Sequence, residues 1–93
     1  MTTICTAEIS LYPLSQNFLD IIGDFIERIQ SYPEFEVVVM TTCTHVRGEH
    51  ARLFDILGQE ILRVHQQTGQ AILVCKFLLG DSVGVGLYET RDA

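Results

Sequence analysis

The chain has 93 residues and a mass of 10.5 kDa, and with 47% apolar and 19% charged residues it fits one small folded domain rather than a disordered segment. Twelve acidic residues against six scattered Lys and Arg give a net charge of −6, which argues against nucleic acid as a partner. Three cysteines without a CxxC pair argue against a disulfide framework and a thiolate zinc site. No apolar run approaches a membrane span and no leader pattern opens the chain, so a reducing cytoplasm is the expected location.

The first strand is predicted over Ile4 to Tyr12. Cys5, Ala7, Ile9 and Leu11 take one face, Thr6, Glu8, Ser10 and Tyr12 the other, and Pro13 ends the run. A helix follows, capped by Ser15 or Asn17, whose apolar arc holds Phe18, Leu19, Ile21, Ile22, Phe25, Ile26 and Ile29. On its polar side Asp24 and Arg28 are spaced as an i,i+4 pair, and Ser31-Tyr32-Pro33 closes it. Phe35 to Thr41 reads as a second strand and Thr44 to Arg47 as a third, with the bend at Thr41 to Cys43. Gly48 breaks the pattern before a second helix over His50 to Gln67, with Leu53, Phe54, Leu57, Ile61 and Val64 as its buried stripe and Thr68-Gly69 as its stop. Gln70 to Leu79 is a last strand, apolar on both faces. Ser82 to Tyr88 reads either as a short extra strand or as part of a loose tail, so the domain is placed at 1–81 and the tail at 82–93.

The order βαββαβ makes an α+β domain: a four-stranded antiparallel sheet, strand order 4-1-3-2, with both helices on one face. The other face would carry Val38, Met40, Ile72, Val74 and Leu78. Burying two such faces against each other gains about 25 cal/mol per Å² before association costs, so a homodimer or homotetramer through sheet faces is expected. A mean hydropathy of +0.25 points the same way.

No nucleophile–base constellation stands out, and no metal or cofactor site is expected. His45, Glu49 and His50 span a strand and a helix start, a spacing that reads as coincidence. His65 reads as a hydrogen-bonded core or rim histidine, and an enzyme using it with Glu60 or Asp55 is disfavoured by helical spacing. The cysteines read as buried, inert thiols. Gly23 and Gly58, each mid-helix, allow either close helix–helix approach or a gap that a flat ligand could fill. Ser10 and Tyr12 close strand one, Thr41, Thr42 and Thr44 surround the bend, Glu8 projects from strand one and Lys76 from strand four. In the 4-1-3-2 order these can converge, and hydroxyls, a carboxylate and an aromatic ring suit a heteroaromatic ligand. The alternative is that Thr and Ser simply occupy pleated positions.

The segment Ser10-Leu11-Tyr12-Pro13-Leu14, the helix opening at Phe18, the step Thr42-Cys43-Thr44-His45-Val46-Arg47-Gly48 before a helix carrying Leu53-Phe54-Asp55, and the apolar strand Ile72 to Leu79 together resemble the YkoF-like thiamine/hydroxymethylpyrimidine-binding family. The likeness covers about Thr6 to Asp81. It implies a ferredoxin-like fold, non-enzymatic binding of thiamine or its pyrimidine precursor for salvage or transport, and assembly through sheet packing. Some members carry two such repeats, whereas this chain has one. Ser10, Tyr12, Thr42, Thr44 and Arg47 match the family's motif positions, while Phe18, Glu8 and Lys76 are ligand candidates from sheet geometry alone. The competing reading is an oligomeric regulatory or scaffolding domain that binds another small metabolite.

Overall fold

The computed structural model describes residues 3–81. The elements are β1 (Ile4–Pro13), α1 (Phe18–Gln30), β2 (Glu36–Val39), β3 (Thr44–Glu49), α2 (His50–Thr68) and β4 (Ala71–Leu79). The four strands form one antiparallel sheet in the order β2-β3-β1-β4, and both helices pack on the same face. This is the expected ferredoxin-like α+β fold; the tail at 82–93 lies outside the described residues.

Alternation builds the core. Cys5, Ala7 and Ile9 of β1 and Val46 of β3 are buried beneath Ile21, Phe25 and Ile29 of α1 and Leu53, Ile56, Leu57 and Val64 of α2. The stripe on α1 is narrower than its apolar arc: Phe18 is 46% and Leu19 71% exposed, so the first turn of the helix does not join the core. On α2, Phe54 and Ile61 are partly exposed and Ile56 replaces them inside. Phe54 instead stacks on Phe77 of β4 with ring centroids 4.5 Å apart.

Glu60 is also buried, at the fourth position of that stripe. Its carboxylate accepts from Arg28 Nε at 2.6 Å and from the Tyr32 hydroxyl at 2.7 Å, tying α2 to the end of α1. Arg28 therefore turns away from the expected partner Asp24, which accepts from Gln67 Nε2 instead. Hydrogen bonding to Glu60, with burial, pushes the Tyr32 phenol above its ordinary pKa.

Helix ends and turns follow local chemistry. Glu49 caps α2, its carboxylate accepting from Ala51 N and Arg52 N at 3.0 Å each, and these bonds hold its pKa below the usual carboxylate value. Gly69, at φ 81°, ends α2 in a backbone region that favours glycine. Gly48 does not break β3; it lies inside the strand, opposite Cys5. A Cβ there would come within 2.9 Å of Phe35 Cε1 and closer still to Cδ1, so the absence of a side chain is what lets the Phe35 ring pack over β3 as part of the core. Gly48→Ala is expected to destabilise the fold by about 1–3 kcal/mol through overpacking, read as a lower urea midpoint at unchanged m-value; an unchanged midpoint would show that the ring moves freely.

Gly23 and Gly58 serve neither suggested purpose. Both face solvent, and a Cβ at either position would meet nothing within 4 Å, so they mark neither a close helix contact nor a gap over the sheet.

Candidate functional site

β1 outruns β3. Its ladder with β3 stops at Ile9 opposite Thr44, whereas its ladder with β4 continues to Pro13 opposite Ala71. Beyond Ile9, β1 has a strand on one side only, and the turn at 40–43 folds in beside it. Met40 N donates to Cys43 O at 2.9 Å, and Ser10 Oγ donates to Thr42 O at 3.2 Å, which ties the turn to the free edge. Ile22, Phe25 and Ile26 of α1 roof this notch. The result is a cavity of about 180 Å³ lined on its polar side by Ser10, Tyr12, Thr41, Thr42 and Thr44. Thr44 is buried, whereas the Tyr12 ring is 53% exposed at the rim.

A larger cavity of about 460 Å³ lies on the β4 side of β1, between α2 and the start of β4. It is mostly apolar, with Leu14, Ile61, Val64 and Leu73 in its wall, and it shares Leu11 and Phe25 with the smaller one. His65 sits at this cavity, exposed, its Nδ1 2.8 Å from Gly69 O. It is a rim histidine fixed by a backbone carbonyl.

Four sequence-predicted residues, Ser10, Tyr12, Thr42 and Thr44, thus meet at one cavity. The other four do not. Glu8 lies on the same face of β1 as Ser10 but two residues away, about 7 Å along the strand. There it sits between Lys76 of β4 and His45 of β3, with Lys76 Nζ at 3.8 Å and His45 Nε2 at 3.6 Å from its two carboxylate oxygens. Arg47 pairs with Thr6, another two residues on, and its guanidinium is held by Asp81 Oδ1 at 2.7 Å, which raises its pKa further. Phe18 lines neither cavity. Strand spacing separates Glu8, Lys76 and Arg47 from the notch: one face of a sheet is several rungs long, and residues sharing it need not meet.

The thiols also divide. Cys5 and Cys75 are on the helix side, where burial pushes both thiol pKa values up, but only Cys5 is buried in the core as expected. Cys43 and Cys75, both half-buried, correct the expectation of three buried thiols. Cys43 lies in the turn, and its Sγ, a Glu8 carboxylate oxygen and a His45 ring nitrogen all lie within 4.8 Å of one another. The alternation Cys43-Thr44-His45 was the available signal for this group. Glu49 and His50, the other two members of the expected coincidence, are engaged elsewhere: Glu49 caps α2, and the His50 ring lies 4.8 Å from Phe54.

Residues 4–82 match the model of the YKOF-related family. The chain belongs to that family. Among solved structures, a domain of unknown function from Bacillus cereus is similar with a TM-score of 0.78 at 18% identity, covering 99% of this chain and 94% of that one. A proposed thiamine biosynthesis/salvage protein from Thermotoga maritima has a TM-score of 0.76 at 20% identity, with 92% of each chain covered. A protein from Streptococcus pneumoniae has a TM-score of 0.76 at 19% identity, covering 95% of this chain and 99% of that one. At these identities the similarity establishes a shared fold. No curated protein matches the chain. Among the described residues, no helix of this YKOF-related protein is long and apolar enough to cross a membrane.

Proposed function

We propose that the protein binds thiamine or its hydroxymethylpyrimidine precursor, without transforming it, in salvage or transport within the cytoplasm. The observation that carries this reading is the notch beside the free edge of β1, where Ser10, Tyr12, Thr42 and Thr44 gather. At about 180 Å³ it suits one small ring better than a drug-sized ligand, for which pockets run to roughly 300–1,000 Å³. The pyrimidine would lie between Ile22 and Phe25 on one side and the hydroxyls on the other, with Tyr12 free to stack at the rim. The thiazolium of thiamine would extend outward, where the net charge of −6 provides a favourable field. Membership of the YKOF-related family and the role proposed for the Thermotoga maritima protein support the same reading.

Binding without turnover is favoured because the groups an enzyme would use are committed. Glu60 is held by Arg28 and Tyr32, and His65 Nδ1 meets Gly69 O. Arg47, Glu8 and Lys76 have no part in the notch, so their replacement should leave affinity for the pyrimidine little changed.

Calorimetric titration with hydroxymethylpyrimidine and thiamine tests the reading. Thr44→Val should weaken binding by about 1–3 kcal/mol, roughly 5- to 150-fold, since a lost hydroxyl leaves its ligand partner unpaired. No heat with either compound at millimolar concentration would overturn the proposal, and an unaltered affinity in Thr44→Val would move the site elsewhere.

The same reading includes a homo-oligomer formed through the open sheet face. Met40, Ile72 and Val74 on that face are 52%, 52% and 48% exposed, and a second copy is the simplest cover for them. This exposed face also favours the second reading, an oligomeric regulatory domain for another metabolite, which a thermal-shift comparison of cationic heteroaromatics with amino acids would separate from the first.

A further inference from the structure

We propose that Glu8, Cys43 and His45 form a zinc-binding site on the open face of the sheet. Two adjacent rungs build it. Cys43 precedes β3 by one residue, and Cys43 and His45 flank the buried Thr44, so alternation turns both away from the helices. Glu8 of β1 stands directly opposite His45. The three donor atoms all lie within 4.8 Å of one another, and His45 Nε2 is 3.6 Å from Glu8 Oε2.

A tetrahedral zinc with bonds of roughly 2.0–2.3 Å needs donor–donor separations of roughly 3.3–3.8 Å. The His45–Glu8 edge already has that length, and Cys43 has about 1 Å at most to close, within reach of a small side-chain rotation. A thiolate, an imidazole and a carboxylate suit zinc and similar borderline-soft ions, whereas calcium and magnesium require oxygen ligands throughout. Three protein ligands leave a fourth position for water or another donor. Lys76 Nζ, 3.8 Å from Glu8 Oε1, is the competing cation: it shares the carboxylate and repels a dication. Cys43 also borders the smaller cavity, but the site is tested with metal alone and does not depend on what that cavity holds.

The experiment is titration of the reduced full-length protein with cobalt(II), followed by zinc(II), reading the thiolate-to-cobalt charge-transfer absorption. We expect a band that saturates at one cobalt per chain and is displaced by zinc. Cys43→Ser should abolish it, whereas Cys75→Ser should retain it. His45→Ala and Glu8→Gln should each weaken binding at least tenfold, and Lys76→Ala should strengthen it severalfold. Far-UV circular dichroism of each variant distinguishes a lost ligand from a lost fold. Absence of the band at millimolar cobalt, or its survival in folded Cys43→Ser, would overturn the assignment.

Discussion

Glu60→Ala should lower stability by about 3 kcal/mol, a large share of the 5–15 kcal/mol that typically separates folded from unfolded states. The carboxylate is buried, and two groups depend on it. Without it Arg28 Nε and the Tyr32 hydroxyl lose their acceptor, and Arg28 Nη2 is already buried without a hydrogen-bond partner. Arg28 keeps 24% of its side chain exposed, so water screens part of the loss and places it at the low end of what breaking a buried pair costs. Glu60→Gln should lose less, because an amide oxygen still accepts from Tyr32. Urea denaturation of the two variants measures the difference, and equal losses would show that the charge alone, rather than the side chain's volume or its bond to Tyr32, matters at this position. The network also has a pH signature. The Tyr32 pKa is raised in the folded state, so its contribution is fully present below the ordinary tyrosine value of about 10 and is lost as pH rises through the higher folded value. Glu60→Gln should bring the Tyr32 titration down towards ordinary tyrosine, as followed by phenolate absorbance.

Val74→Asp should convert the homo-oligomer proposed above into monomers of 10.5 kDa by sedimentation. Val74 lies opposite Ser10, one rung from the charged row His45–Glu8–Lys76 that crosses the open face. That row ends on Val38 of β2; Met40, Val74 and Ile72 lie together on one side of it, and Leu78 lies on the other. In the proposed interface a carboxylate at position 74 would be buried, and Lys76, two residues along the same face, already shares its charge with Glu8, so the cost is several kcal/mol. An unchanged mass would place the interface on another surface.

Most of the fold was legible because it is written in short periods. The alternation of Cys5, Ala7 and Ile9 and the spacing of Ile21, Phe25 and Ile29 each identify a face without knowledge of the rest. What could not be read depends on partners distant in sequence. Glu60 looks like a solvent residue until Arg28 and Tyr32 are brought to it, although its position after Ile56 and Leu57 and before Val64 places it on the buried stripe. Gly48 looks like a strand breaker until Phe35 lies over it. At the site, Ser10, Tyr12, Thr42 and Thr44 were recoverable because the β1 end and the turn into β3 are neighbours in any 4-1-3-2 sheet. Register decided the rest. It left Arg47 beside Asp81, and it grouped Glu8 with Cys43 and His45 instead of with the hydroxyls.

The most direct measurement is a crystal structure of the protein grown with hydroxymethylpyrimidine. The expected result is the ring beneath Ile22 and Phe25, with hydrogen bonds to the hydroxyls of Thr42 or Thr44. A pyrimidine bound on the open sheet face or in the larger apolar cavity, with the notch by Ser10 left to solvent, would contradict the account.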